Sequence, residues 1–399
     1  MIKLNYMAIR IDENKINEIL TRGVNEMIDA KHLREQLISG KKLRVKLGID
    51  PTSPNIHLGR AVSLLKLRDF QELGHQIVLI IGDFTGMVGD TSDKDSERPM
   101  LAEKQVKENM KNYVKQAGKI LDIKKTEIKY NSQWLKKLGF LEIGKQADQF
   151  SLSEFIAREN IKSRIDEGKP VSLRELLYPL MQGYDSVAIK ADVELGGTDQ
   201  RFNLLAGRTI QNYYGQEPQD ILMTNLISGT DGRKMSSSWG NTINLIDEPK
   251  EMFGKIMSIP DEVIIQYFEH CTRIDMVSVD NFQNQLKNGV NPRDIKMQLA
   301  FEITKLYWGE KGADDGKQYF ISVFQKKDTP SEMLEFNLAG KNIVDVLIES
   351  KLAQSRGDAK RLIEQGAIEI NNKKITSIDE VVAKNSIIQK GKRFFAKII

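Results

Sequence analysis

Two segments hold side chains suited to chemistry on a phosphorylated substrate. The first is GIDPTSPNIHLGR, residues 48–60. It follows a short apolar run, Leu43–Ile49. It precedes a helical pattern of Ala61, Leu64, Leu65, Leu67, Arg68 and Leu73, with Gly74 placed to stop the helix. A helix N-terminus presents unpaired N–H groups and partial positive charge, which favours an anion. Gly48 and Gly59 let backbone or ligand come close, and His57 can donate to a phosphate oxygen. The competing reading of this segment is a loop shaped by Pro51, Pro54 and Gly59. The second segment is GTDGRKMSSSWGN, residues 229–241, where Gly229, Gly232 and Gly240 bracket Lys234 and three serines. Such a loop can close over a triphosphate and bring one cation and several hydroxyls to charge that develops in a transition state. Its competing reading is a polar surface loop.

The elements around these segments suit that chemistry. Ile77–Ile81 (IVLII) reads as a buried strand. Strand, helix and strand over residues 43–83 predict a right-handed parallel crossover, and so an α/β sheet that binds ligands at its carboxyl end. Residues 99–121 read as a long helix opened by Pro99, and 126–130 as a strand. Residues 143–184 read as mostly helical, and Val187–Leu195 as a strand ending in Gly196 and Gly197. Residues 221–227 read as a further strand and 250–325 as helical. Residues 326–340 are polar and contain Pro330, as a linker does. In the last stretch Ser355 and Asp358 form a helix start and Gly366 a stop. AIEI and KKI flank an Asn-Asn hairpin turn.

Composition narrows the class. The 399 residues suffice for two or three domains, and 40% hydrophobic with 29% charged is ordinary for a globular chain. A single cysteine, Cys271, excludes an intramolecular disulfide and a paired-cysteine zinc site. No metal-ligand cluster is evident. The absence of a signal-like start or a long apolar stretch leads us to expect a cytoplasmic protein with no membrane partner. Net charge is +4, yet residues 341–399 hold 12 Lys+Arg against 7 Asp+Glu, so the excess sits in the C-terminal unit, where it would attract a polyanion.

Taken together, the two segments resemble the paired signatures of class I aminoacyl-tRNA synthetases. Other stretches extend the likeness toward the tyrosyl enzymes of bacterial type. LGGTDQRFN (195–203) is similar to their GGSDQ segment and YPLMQGYD (178–185) to their tyrosine-binding helix. GDFTGMVGDTSDKDSERP (82–99) resembles their second substrate loop, and SRGDAKRLIEQGAIEINNKKI (355–375) resembles the S4 RNA-binding module. Tryptophanyl enzymes share the sheet and both signatures, but Asp185 and the S4-like tail favour tyrosine.

The resemblance implies a doubly wound, parallel-sheet (Rossmann-like) α/β catalytic domain over 1–245, with a helical insertion at about 143–184. It implies an α-helical anticodon-binding domain over 246–328, a linker at 329–341 and a small α+β S4-like domain over 342–399. It implies a tyrosine–tRNA ligase that uses ATP with Mg²⁺, acts on L-tyrosine and tRNA(Tyr), and forms a homodimer. Asp185 would take the substrate phenol, with Lys46 nearby in the tyrosine site. Asp90, Tyr178 and Gln182 would hold the substrate ammonium. ATP would meet Gly48, Asp50, Thr52, His57, Gly59, Gly197, Asp199, Gln200, Lys234, Met235, Ser236 and Ser237. Catalytic contacts would come from His57, Arg60, Lys234, Lys94 and Arg98, the last two at the pyrophosphate. Arg356, Lys360 and Arg361 would meet tRNA. Three positions depart from the family pattern. Arg60 stands where a second histidine is usual, Ser237 where a lysine is usual, and Lys46 where many relatives have tyrosine. We expect Arg60 to compensate in part for Ser237.

Overall fold

In the computed structural model, residues 9–92, 100–324, 333–391 and 394–399 are described. The chain divides into two compact units, one up to Gly316 and one from Lys317.

The first unit is built on a six-stranded sheet. Its strands are β1 (Val24–Ile28), β2 (Arg44–Ile49), β3 (Gln76–Ile81), β4 (Thr126–Tyr130), β5 (Val193–Gly197) and β6 (Asp220–Thr224), in the order β1-β6-β5-β2-β3-β4. All neighbours are parallel except the edge pair β1–β6. β3 is buried along nearly its whole length, as a central parallel strand covered on both faces must be. The chain winds outward from β2 through β3 to β4, then returns to β5 and β6. The winding therefore reverses between β2 and β5, and their carboxyl ends open a crevice at that switch point.

Two helices hold the wall of this crevice. Leu173–Ile189 starts at Ser172, which forms a reciprocal capping box with Glu175. It packs along Arg201–Tyr213, and Gly183 is what permits the approach: a Cβ there would lie 3.1 Å from the Ala206 carbonyl oxygen and from Ile210. Gly183→Leu should therefore cost about 1–3 kcal/mol through overpacking. Urea denaturation would measure it, and an unchanged midpoint would show that the helix pair relaxes freely.

Several expected elements differ in their bounds. The strand expected over 187–195 is helix to Ile189. Lys190 then turns left-handed (φ 52°) to cap it, and the strand begins at Val193. The strand expected over 221–227 is Asp220–Thr224. The helix expected over 99–121 is broken into Glu103–Met110 and Tyr113–Ala117, while Pro99 lies outside the described residues. Around that break, polar side chains turn inward to hold the 51–56 loop. Asn109 donates to the Pro51 carbonyl (2.9 Å), Tyr113 to that of Ser53 (2.6 Å) and Gln116 to that of Pro54 (2.9 Å). Residues 246–316 of the helical stretch fall in the same compact unit as the sheet. The buried Arg22 guanidinium donates to the carbonyls of Phe268, Glu269 and Thr272.

The second unit has its own core, formed by Ile343, Val346, Leu347, Ala359, Ile363, Ile368, Ile388 and Ile398 among others. Helices Ile343–Glu349 and Arg356–Glu364 accompany a sheet ordered β7-β11-β10-β8-β9. These strands are β7 (Leu334–Phe336), β8 (Ile368–Ile370), β9 (Lys373–Lys374), β10 (Ile387–Lys390) and β11 (Phe394–Ile398). The β8–β9 hairpin turns through Asn371 and Asn372, both at positive φ (50° and 64°), as a two-residue turn requires. β7 falls within the stretch expected to be a linker. It pairs in parallel with β11, a long-range contact that no local pattern reveals.

Candidate active site

The crevice at the carboxyl ends of β2 and β5 encloses about 400 Å³, within the range of small-molecule sites. Among the described residues, all but one of those proposed from sequence for the ATP, catalytic and tyrosine contacts line it. Gly48, Asp50 and Thr52 come from the end of β2, with His57, Gly59 and Arg60 at the start of the following helix. Gly197, Asp199 and Gln200 follow β5. Lys234, Met235, Ser236 and Ser237 come from the loop beyond β6, Asp90 from the loop after β3, and Tyr178, Gln182 and Asp185 from one helix face. Lys94 and Arg98 lie outside the described residues.

Lys46 is the exception. It does not line the cavity; its side chain is 0% exposed. Its three N–H bonds point to Glu194 Oε1 (2.9 Å), Ser186 Oγ (2.7 Å) and the Gln182 carbonyl (3.1 Å). An ammonium removed from water needs a counter-ion, and Glu194, also buried, supplies it behind the cavity wall. Lys46, expected in the tyrosine site near Asp185, therefore stands behind the cavity wall and not on its lining.

His57 is the N-cap of the Leu58–Glu72 helix and is held by an antiparallel bridge to Asn244. Gly59 donates its N–H to the Met235 sulfur at 3.3 Å, which joins the first motif to the second. Asn241 folds the second motif. It accepts from Ser236 N–H (2.8 Å) and donates to Asp231 (2.7 Å) and the Lys234 carbonyl (3.0 Å). Lys234 meets Asp199 at 2.8 Å and Ser237 meets Ser53 at 3.2 Å. Arg60 turns onto the loop of its own motif. It donates to the Asp50 carbonyl (3.0 Å), Thr52 Oγ1 (2.9 Å) and Tyr113 Oη (2.8 Å).

At the wall, the buried carboxyl of Asp185 and the half-buried carboxyl of Asp50 are joined by a hydrogen-bond chain. Asp185 accepts from Trp134 Nε1 (2.7 Å) and Asn131 Nδ2 (3.2 Å). Asn131 also donates to Thr85 Oγ1 (2.9 Å), and Thr85 donates to Asp50 (2.7 Å). The other oxygen of Asp50 accepts from Tyr178 (2.8 Å). Gln200 donates to Asp90 at 2.7 Å. Sequence reasoning missed Asn131, Trp134 and Thr85. The available signal was position: Asn131 directly follows β4 and faces the ligand end of the sheet.

Burial pushes Asp185 up to about 7, against Lys46 and the donors Trp134 and Asn131. Burial likewise raises Asp50 to about 6, opposed by Thr85 and Tyr178. Both shifts are upward, so the folded chain retains these protons where the unfolded chain has lost them. Stability is then lost as pH rises from the ordinary carboxyl range through these two values. We expect the ligand-free melting temperature to fall between about pH 5 and 7.5. Asp185→Asn should flatten part of that fall. Equal slopes for the two proteins in thermal melts across pH would contradict it.

A cavity with donors at a helix N-terminus, a lysine loop and a buried acceptor at its wall suits a nucleotide beside an amino acid. The comparisons with known proteins agree. The family model "tRNA synthetases class I (W and Y)" matches residues 39–325, and "Tyrosine--tRNA ligase SYY-like C-terminal domain" matches 322–397. The chain is therefore a class I aminoacyl-tRNA synthetase. Tyrosine–tRNA ligases of Thermotoga maritima and Dehalococcoides mccartyi are 47% and 46% identical to it. The first alignment covers 96% of both chains, the second 97% of this one and 99% of the other. Within the class, the chain belongs to the tyrosine–tRNA ligases, whose substrates are tyrosine, ATP and tRNA. The fold is shared with a truncated mitochondrial tyrosyl-tRNA synthetase of Aspergillus nidulans (TM-score 0.64, 21% identity, 78% of this chain and 94% of that one). It is also shared with a tyrosyl-tRNA synthetase of Archaeoglobus fulgidus complexed with L-tyrosine (TM-score 0.61, 23% identity, 77% and 99%).

Proposed function

We propose that this ligase seats tyrosine with its phenol at Asp185 and its ammonium among Asp90, Tyr178 and Gln182. The triphosphate lies between the helix that starts after His57 and the loop that carries Lys234. The one observation that carries this reading is that both ligand sets line one cavity at the strand switch point. The three ammonium partners each have an oxygen that can accept. Asp199 suits the ribose hydroxyls, and Gly197 leaves room for them. ATP arrives with Mg²⁺ as its own counter-ion; among the described residues no cluster of three or more His, Cys, Asp or Glu could hold a metal.

The tyrosine carboxylate attacks the α-phosphate in line. The bond to the bridging oxygen breaks, pyrophosphate leaves with that electron pair, and tyrosyl-adenylate remains. The terminal ribose hydroxyl of tRNA then attacks the activated carbonyl, and AMP leaves. No protein nucleophile takes part: the chain positions the reactants and stabilises charge. Lys94 and Arg98 meet the pyrophosphate. Arg60, bonded to the Asp50 carbonyl, Thr52 Oγ1 and Tyr113 Oη, steadies the first loop.

The C-terminal unit grips tRNA through the exposed side of the Arg356–Glu364 helix. Arg356, Lys360 and Arg361 are exposed there while Ala359 and Ile363 are buried. The helical part after residue 245 meets the anticodon arm. Phe140, Leu141, Leu152 and Leu173 are strongly exposed apolar residues close in sequence, which supports a homodimer covering them. Among the described residues no helix is long and apolar enough to cross a membrane, and we place the enzyme in the cytoplasm. ATP–pyrophosphate exchange tests the reading with tyrosine, with tryptophan and with no amino acid. Exchange should require tyrosine. Equal exchange with tryptophan, or none with either, would sink it.

A further inference from the structure

Lys46 and Glu194 are deeply buried opposite charges behind the active-site cavity, at 0% and 1% exposure. Neither lines the cavity. They stand on adjacent parallel strands as register partners of β2 and β5, at the point where the sheet winding reverses. Lys46 spends its three donors on Glu194, Ser186 and the Gln182 carbonyl. Glu194 Oε1 also accepts from Gln182 Nε2 at 3.0 Å. Its Oε2 accepts from Ser186 Oγ (3.1 Å) and from Gln219 Nε2. Gly207 backs the cluster, where any Cβ would come within 2.6 Å of Gln219 Nε2. The unit is packed, and its charges cancel.

One consequence concerns Gln182. Its amide has one oxygen and one nitrogen end, and the two are nearly equal in shape. A carboxylate only accepts hydrogen bonds, so Glu194 draws the nitrogen end toward itself, as the 3.0 Å contact shows. The amide oxygen is then left for the cavity, the polarity needed to accept from an ammonium. Lys46 offsets the carboxylate charge of Glu194 in this dry setting, and it pins the backbone carbonyl of Gln182 as well.

We propose that Lys46 and Glu194 are positioning residues that fix the amide of Gln182 with its oxygen toward the substrate ammonium. They set affinity for the amino group of tyrosine without touching it. This rests on the reading above in which Gln182 meets the ammonium.

The test compares L-tyrosine with 3-(4-hydroxyphenyl)propionate, which keeps the phenol and carboxylate but lacks the amine. The KM of tyrosine in pyrophosphate exchange and the inhibition constant of the analogue are measured on the full-length enzyme. In K46M/E194L both charges go together, so none is stranded. KM should rise about tenfold, the worth of one hydrogen bond to a charged group, while the analogue still binds as in the parent. K46M/E194Q keeps an oxygen that can accept, and offers a nitrogen as well. It should show a smaller rise of about threefold, again for tyrosine alone. It also serves if the first variant does not fold. A merely structural role would weaken both ligands by the same factor in either variant, and that result would overturn the proposal. Gln182→Ala separates the two layers of the argument. If it leaves the KM of tyrosine unchanged, the ammonium reading itself fails. If it raises that KM but the Lys46 and Glu194 variants do not, only the positioning role fails.

Discussion

Replacing Lys234 by methionine should lower kcat for tyrosine-dependent pyrophosphate exchange by about 10²–10³, the loss typical of one donor that stabilises transition-state charge. Lys234 sits on a loop folded by Asn241 and meets Asp199 at 2.8 Å in the ligand-free protein. In the proposed seating of ATP the ribose hydroxyls take up Asp199, which releases the ammonium to the triphosphate. Its attraction is greatest when pyrophosphate separates and negative charge gathers on the leaving oxygens. An interaction of that kind lowers kcat more than it raises KM. The neighbouring motif serine, Ser237, carries no charge, so the loop has no second cation at that position. Methionine keeps the length of the side chain and leaves the Asn241 bonds to backbone intact, so loop folding should survive. A rise in KM with kcat intact would mean that Lys234 only holds ATP in the ground state.

Asp185→Asn should reduce kcat/KM for tyrosine by about 10², through the phenol bond and the disturbance of its supports. Two N–H groups, from Trp134 and Asn131, converge on the Asp185 carboxylate. An amide offers one acceptor oxygen where the carboxylate offers two, so one donor must face an NH₂ group or the phenol must lose its partner. Phenylalanine brings no hydroxyl to pair, so its slow activation should be little changed. Discrimination then falls by nearly the full loss for tyrosine. A polar site rejects the analogue that leaves its buried group unpaired, a rule for which tyrosyl enzymes are themselves the usual illustration. Activation assays with both amino acids measure the ratio. If it held steady while tyrosine turnover fell, Asp185 would support the pocket without reading the phenol.

Much of the site was legible because its residues lie in short, local patterns. Gly48 through Arg60 and Gly229 through Asn241 are contiguous, and Tyr178, Gln182 and Asp185 share a face by helical spacing alone. The Asn-Asn hairpin and the Ser355 cap were equally local. The broken helix at 103–117 was not, because Asn109, Tyr113 and Gln116 are fixed by a loop some 60 residues earlier in the chain. Asn131 and Trp134 gave no motif, only a place after a strand whose neighbour had to be known first. β1 escaped notice because VNEMI does not alternate cleanly, and it becomes a strand by pairing with the distant β6.

Lys46 marks the boundary between the two kinds of knowledge. The sequence by itself determined the chemistry of this protein: which residue types stand ready for phosphate, ammonium and phenol, and the order of the elements that carry them. Only the tertiary structure decided that Lys46 stays off the cavity lining. Its partner Glu194 is 148 positions further along the chain and becomes its neighbour only when β2 and β5 pair. Local spacing governs helix faces and turns. A buried charge answers to whatever opposite charge the folded sheet brings beside it.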